Sequence, residues 1–449
     1  MKKTIKTLII LLLIIVLYPI SSWAQNDDGA FSLLDAQDYA MKNSYVLKNT
    51  NMDINKARKK VWETISIGLP QISGSANYNK FFNIPVSLIP GEFFGGEAGT
   101  YIPVKFGQDY NSDYGLSVSQ LIFDGSYIVG VGSSKLYLNL SMQAHEKTEI
   151  DIREAVTQAY YMVLIGEENK KVMEENQVNT QKLYHETKAY FENGFREEQD
   201  VDQMKLLLKT AENEILKADR EIKIAKVVLK YAMGFNLENE INLKDPLSKF
   251  ITPLLAEKEP VNFNVANHID YKLSESNYLA SQKLLDLEKS AYLPNLNAFY
   301  NWSKTSYGNE ANLFKSSVPW FKSSLIGLQL SVPIFNSGQK TVKIQQAKIE
   351  LDKAANNRIL ASQTLQKDYL SALANMESAL EKYFNDKENN DLSEKILDKT
   401  KVKFKNGISS STELSQIETQ YIRSHGLYIG SMLELLQFDL TLKKALGKL

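Results

Sequence analysis

The side chains that most often carry chemistry are sparse in this sequence and poorly spaced for it. The four histidines, His145, His185, His268 and His425, share no ligand spacing, and there is no cysteine. Thiolate metal sites, disulfides and a lipid-modified N-terminal cysteine are thereby excluded. Lone histidines of this kind read as surface or interhelical residues. No glycine-rich phosphate loop, nucleophile elbow or HExxH helix occurs, so the residues predict neither an enzyme nor a cofactor. With 52 basic against 53 acidic residues, nothing suggests nucleic acid as a partner. The most distinctive titratable residues follow two Asn-Gly pairs. Asp200 comes six positions after Gly194, and Glu413 six after Gly407. Ser410-Ser411-Thr412-Glu413 matches a capping box, in which the glutamate secures a helix start, and Asp200 suits a solvated first helical turn.

The elements that position these residues are written twice. Leu69-Pro70-Gln71-Ile72 returns as Leu293-Pro294-Asn295-Leu296, and Gly115-Leu116 with Phe123 returns as Gly327-Leu328 with Phe335. Thr187-Lys188, Phe191 and Asn193-Gly194 return as Thr400-Lys401, Phe404 and Asn406-Gly407; Ala232-Met233-Gly234 answers Ala445-Leu446-Gly447. The shared order and long spacing indicate a duplicated domain instead of a short-period solenoid. The first copy is placed at 25–235 and the second at 261–449, with a connector at 236–260. Lys2, Lys3 and Lys6, the apolar run Leu8 to Leu17 and the small Ser22 and Ala24 make 1–24 a secretory signal peptide. That run is too short for a comfortable membrane span.

Each copy opens with a helical stretch, Phe31 to Ser66 and Val261 to Ala291, that ends before Leu-Pro. Pro70 and Pro294 lack the amide a helix needs and mark the switch to strand. Strands are expected at about 70–82, 110–122, 295–304 and 324–333. They alternate: Ile72, Gly74, Ala76 and Tyr78 oppose Ser73, Ser75 and Asn77, while Leu296, Ala298, Tyr300 and Trp302 oppose Asn297, Asn301 and Ser303. One apolar and one polar face fit a lipid-facing exterior and a watery lumen. A soluble antiparallel sheet fits the alternation too. Tyr78, Tyr300 and Trp302 suit an aromatic girdle, and Asn83 to Gln108 and Thr305 to Lys322 read as exposed loops.

Asp124-Gly125-Ser126 and Asn336-Ser337-Gly338 are expected to cap two helices of about 100 Å that run to the Asn-Gly pairs. A second helix of about 54 Å returns from each pair, Glu198 to Met233 and Ser411 to Leu446. Two short helices end to end thus match one long one. Ala347, Leu351, Ala354, Ala361, Leu365, Tyr369, Ala372, Met376, Ala379 and Tyr383 form a seam broken only by Arg358. Its mean step near 3.6 predicts nearly straight helices. Four strands cannot close a membrane barrel, whose smallest form uses about eight. Open edges in lipid are costly, so protomers are expected to pool strands, and three copies give an open lumen.

The ordered set of Leu-Pro pairs, hairpins, Asn-Gly turns and duplication resembles the TolC family of outer-membrane efflux proteins over about residues 30 to 447. The resemblance implies a mainly α fold with a membrane β-barrel. Its unit is a duplicated helix, two strands, long helix and helix, assembled as a homotrimer with a 12-stranded barrel continuous with a periplasmic α-helical barrel. It implies outer-membrane lipid around the barrel of a Gram-negative cell, a periplasmic adaptor, an inner-membrane transporter, and passive efflux of small molecules. Protein secretion through the same duct, or a periplasmic coiled-coil scaffold, are the alternatives.

The resemblance also places a gate just beyond the turns, with acids six and nine positions after the second turn glycine. Here those are Glu413 and Gln416, and the family's gating arginine is replaced by Ser409, with Arg196 at the equivalent place in the first copy. Three symmetry-related carboxylates in a narrow pore would repel one another and attract cations. Glu413, Gln416, Asp200 and Arg196 are the gate candidates. Asn193, Gly194 and Phe195 with Asn406, Gly407 and Ile408 are the candidate adaptor-docking turns, where exposed Phe195 and Ile408 favour contact.

Overall fold

A computed structural model describes residues 30–256 and 263–449. The signal peptide expected at 1–24, residues 257–260 of the expected connector and the first residues of the second copy lie outside the described residues. In chain order the elements are β1 (Ala30–Phe31), α1 (Leu33–Asn43), α2 (Tyr45–Ser66), β2 (Gln71–Lys80), β3 (Val86–Pro90), β4 (Tyr101–Lys105) and β5 (Tyr110–Asp124). There follow α3 (Gly125–Glu192), α4 (Glu198–Met233), β6 (Asn242–Leu243), α5 (Ser248–Ile251), α6 (Ile269–Ser290), β7 (Asn295–Gly308), β8 (Phe321–Ser331), α7 (Gln339–Lys405) and α8 (Ser411–Ala445). No described helix is long and apolar enough to cross a membrane.

The chain divides into two compact units. One holds the described residues of Met1–Ser44 and Ile152–Lys258 together with Ala379–Gln437. Its N-terminal end is tied down by a parallel pairing of β1 with β6, which local sequence did not announce. Ser32 caps α1 through a reciprocal box with Asp35, accepting from its amide at 3.2 Å and donating its own amide at 3.1 Å. The fully buried Tyr160 brings its hydroxyl within 3.0 Å of Phe31 O and 3.1 Å of Asp245 Oδ2, the oxygen that also accepts the Leu33 amide at 2.8 Å. Burial pushes the Asp245 carboxyl up, but Lys249, the Leu33 amide and the Tyr160 hydroxyl outweigh it and hold it below the usual range. Phe31, Tyr39 and Phe235 pack edge-to-face around this anchor at 5.5–5.7 Å.

The other unit holds Tyr45–Asp151, the described residues of Glu259–Ser378, and Phe438–Leu449. Its sheet has the order β2-β5-β7-β8, all antiparallel, so the two hairpins join through β5 and β7. The register aligns the alternation across all four strands: Ile72 faces Val118, Val118 faces Tyr300, and Tyr300 faces Ile326. On the opposite face Asn77 donates to Asp113 Oδ2 at 3.0 Å and Ser117 to Asn301 Oδ1 at 2.6 Å. A soluble sheet would cover its apolar face. Here Ile72, Ile326, Leu328 and Leu330 stand 63–80% exposed, and β2 and β8 are bare edges of the sheet. Tyr114 touches Trp302 and Trp320, and Tyr78 touches Tyr110, ring contacts in which Tyr110 and Trp320 join aromatics named from the alternation.

Four local expectations need correction. The opening helix is not continuous: Ser44 leaves helical geometry at ψ 125°, and it passes so close to Gly234 that a Cβ there would lie about 3 Å from the Asn43 and Ser44 backbone. The second opening helix begins at Ile269, with the His268 ring accepting from the Asp270 amide at 3.2 Å. The loop at 83–108 contains the hairpin β3–β4, whose short apolar runs pair antiparallel and whose prolines sit where no second neighbour claims an amide. Asp124 caps α3 through the Tyr127 amide at 2.8 Å. The start of α7 instead uses left-handed Ser337 and Gly338, with the Gln339 amide on the Asn336 carbonyl. The α7 seam is buried or half-buried throughout, and Arg358 interrupts it by stacking on Tyr278 and pairing with Glu275 at 2.9 Å. The last turn of α8 meets the start of α6, where His268 Nε2 lies 3.2 Å from Lys444 O.

Candidate functional site

The two Asn-Gly pairs end α3 and α7 in the same way. Gly194 and Gly407 adopt left-handed φ of 81° and 76°, and their amides return to Phe191 O and Phe404 O at 2.8 and 3.0 Å. The next amides, of Phe195 and Ile408, reach Tyr190 O and Lys403 O at 2.9 Å each. This paired closure normally seats the following apolar residue against the helix. At the end of α4 it does so, because Phe235 packs on Phe31 and Tyr39. Phe195 and Ile408 instead stand 78% and 74% exposed. Their exposure is a property of these two turns and not of the motif.

Beneath the turns, α3, α4, α7 and α8 share one apolar core of Leu183, Met204, Leu207, Leu397, Phe404, Leu414 and Tyr421. Next to it a carboxylate is buried: Glu418 accepts from Asn176 Nδ2 at 3.1 Å and Thr180 Oγ1 at 2.8 Å. The sequence signal for Glu418 was available, since it occupies a core step between Leu414 and Tyr421.

Just beyond the turns the copies diverge. Arg196 reaches out of the first turn onto the second copy. Its guanidinium lies 4.3 Å above the Phe404 ring, donates to Phe404 O, and pairs with Asp200 at 3.7 Å. A cation there meets the negative end of α7, and Asp200 meets the positive end of α4. The pair is largely shielded from solvent. Ser409, at the equivalent place, is buried and donates to Glu413 Oε2 at 2.7 Å. The Glu413 amide donates to Ser410 Oγ at 3.1 Å, so half of the expected capping box forms and the carboxylate turns to Ser409. Glu413 and Gln416 are both exposed. The structure therefore brings Arg196 and Asp200 together on Phe404 and joins Glu413 to Ser409. Phe404 was legible only as a repeat landmark, because its contact partner lies more than 200 positions away. Pro70 and Pro294 stand directly before β2 and β7.

The arrangement joins helix ends, and the other unit by itself carries an open sheet whose apolar face is bare. The family model described as outer membrane efflux protein matches residues 38–235 and 267–448. No curated protein sequence matches the chain. Among solved structures, CusC, described for conformational changes accompanying folding and transmembrane channel formation, aligns with TM-score 0.75 at 17% identity, covering 93% of this chain and 92% of that one. The Campylobacter jejuni CmeC outer membrane channel aligns at 0.71 with 18% identity, covering 93% and 85%. The open state of the Neisseria gonorrhoeae MtrE outer membrane channel aligns at 0.72 with 18% identity, covering 92% and 88%. Two family segments in register with the internal duplication, and a shared fold along both chains, lead to one conclusion: the chain belongs to the outer membrane efflux protein family.

Proposed function

We propose that this chain is the outer-membrane exit duct of a tripartite efflux pump, passively conducting small molecules delivered by a periplasmic adaptor and an inner-membrane transporter. The observation that carries the reading is the sheet: four strands, two unpaired edges and an exposed apolar face. In lipid each unpaired backbone group costs several kcal/mol, so edges must meet edges of other copies. Three copies supply about twelve strands and a water-filled lumen, where two would supply a lumen packed with side chains. The polar face, with Asn77, Asp113, Ser117 and Asn301, then lines the passage.

The turns are the gate and docking end. Arg196 fastens the first turn to the second through Phe404 and Asp200, and Glu413, held by Ser409, offers a carboxylate beside the second turn. Release of the Arg196 contacts frees the turns to separate, which is the motion an exit duct requires. Gln416 adds a polar but uncharged neighbour, so the acidic contribution of the second copy rests on Glu413. Phe195 and Ile408 provide apolar contacts for the adaptor.

Purification of the chain from envelope membranes in mild detergent tests the reading. The expected result is extraction only with detergent and co-recovery of a periplasmic adaptor, lost when Phe195 and Ile408 are both changed to Asp. Extraction without detergent, or a recovered secreted polypeptide bound in the duct with no adaptor, overturns it.

A further inference from the structure

The register of the sheet sorts its charged side chains by face. On the apolar face, which carries Ile72, Val118, Tyr300 and Ile326, the charged residues are Lys80, Lys304 and Lys322. All three stand towards the loop end of the strands, away from Pro70 and Pro294. Lys304 and Lys322 lie directly opposite each other on β7 and β8, and Tyr114 lies opposite Lys304 on β5. Lys80 and Lys322 are exposed, and Lys304 is half-buried. Leu296 to Lys304 is eight steps along β7. At about 3.4 Å per residue and a tilt of about 40°, that is a height of about 21 Å. The apolar band of an outer-membrane barrel is about 25 Å tall, so these ammonium groups fall where hydrocarbon gives way to headgroups.

Two features of this end call for an anion held in lipid. Like charges directly opposite on one sheet face repel, and a counter-charge between them turns that repulsion into attraction. No carboxylate supplies it. Asp113 lies on the polar face, where Asn77 holds it at 3.0 Å, and Glu310 pairs with Lys315 at 2.8 Å. Among the described residues none forms an ion pair with Lys80, Lys304 or Lys322. The second feature is the aromatic surround. Tyr114 meets Trp302 at 6.1 Å and Trp320 at 5.0 Å, and Phe314 extends the cluster at 5.8 Å. Lys80 lies over the rings of Phe82 and Tyr110 at 5.1 and 5.5 Å. Rings with an apolar body and a polar tip suit the junction of acyl chain and headgroup, which a free anion in water does not offer.

We propose that Lys304 and Lys322, flanked by Tyr114 and Trp320, form a binding site for the anionic, phosphate-bearing headgroup of an outer-leaflet lipid. The proposal rests on the duct reading above, which puts this face in lipid. The phosphate oxygens accept from both ammonium groups, and the acyl chains run down the sheet over Trp302 and Ile326. Lys80 extends the positive rim onto β2.

Bromine on an acyl chain quenches a tryptophan it touches, and Trp302 and Trp320 stand beside the site. The test uses the full chain with the exposed Trp62 changed to Phe, reconstituted in phosphatidylcholine vesicles that contain a minor fraction of brominated phosphatidic acid. Measured against the same fraction of brominated phosphatidylcholine, the anionic lipid is expected to be preferred about tenfold, within what two lysines supply at an anionic surface. The double change Lys304→Gln with Lys322→Gln is expected to remove the preference. Lys304→Arg with Lys322→Arg, and the loop change Lys315→Gln, are expected to keep it. Excess inorganic phosphate at constant ionic strength is expected to leave the quenching unchanged, because it carries no chain. Equal quenching by the two lipids, an undiminished preference in the glutamine variant, or relief by inorganic phosphate overturns the proposal. Vesicles made wholly of brominated phosphatidylcholine separate it from the duct reading. No quenching there overturns both, whereas quenching without anionic preference overturns the lipid site alone.

Discussion

Replacing Arg196 by alanine removes the link between the two turns, and its size follows from three contacts. The guanidinium sits 4.3 Å above the Phe404 ring, in a partly desolvated position worth about 1 kcal/mol. Its hydrogen bond to the Phe404 carbonyl is charge-assisted, about 1.5 kcal/mol. The Asp200 pair, at 3.7 Å and mostly shielded, contributes about 0.5 kcal/mol after solvent screening. The carbonyl keeps the Gly407 amide, so alanine leaves no orphaned acceptor there. The total is about 3 kcal/mol, treated as an upper value because the contacts share one side chain. Hydrogen exchange of the amides at 193–200 and 403–413 reads this directly, since local opening sets their rate. Arg196→Ala is expected to speed their exchange by about a hundredfold, at roughly 1.4 kcal/mol per tenfold. Arg196→Lys keeps the charge but loses the planar stack, so its effect should fall in between. Single-channel conductance in planar bilayers should rise in the same order. Exchange within about twofold of the parent for the alanine variant would refute the linkage.

Three further outcomes follow from the same contacts. His425 has a folded pKa of about 4 against 6.5 unfolded, so the unfolded chain binds more protons between these values. Stability is therefore full above pH 6.5 and falls by up to about 3 kcal/mol as pH drops towards 4; His425→Gln should flatten that stretch of a melting-temperature profile. Tyr160→Phe deprives Phe31 O and Asp245 of a buried donor, and should cost about 1–3 kcal/mol, seen as faster protease cleavage near residue 32 with the sheet unaffected. Ile326→Arg places a charge on the apolar face and should cost about 2–4 kcal/mol if that face meets lipid, reducing the folded fraction in membranes, whereas Asn301→Arg on the polar face should be tolerated.

How much could be read in advance depended on how local the cause was. The strands and their faces were legible because a period of two is written into consecutive residues, and the register then aligned Ile72, Val118, Tyr300 and Ile326. The long helices and their closures were legible because Asn-Gly states its own backbone geometry. The break at Ser44 was not, since it depends on the approach of Gly234, nearly two hundred residues on. Nor was the β1–β6 pair, two residues per strand with no periodicity to detect. In the site, Arg196, Asp200 and Glu413 were selected by place after the turns, but their partners were not. Phe191 and Phe404 are equivalent in the repeat, yet only Phe404 is buried under a guanidinium. The duplication thus predicts position well and environment poorly, because one copy packs on the other.

The proposed duct requires the bare edges of the sheet to pair between copies, three to a ring. Within one chain β2 and β8 are separated by two strands, roughly 14 Å at 4.8 Å per strand, beyond the reach of a disulfide. The chain has no cysteine, so introduced pairs report without background. Ser73→Cys combined in turn with Ser323→Cys, Leu325→Cys or Gly327→Cys, oxidised in membranes and run on a non-reducing denaturing gel, gives the measurement. Edge pairing in a ring of three gives, at one register, a ladder that ends at three chains. Cross-linking at no register, or a ladder closing at two chains or running on without end, would contradict it.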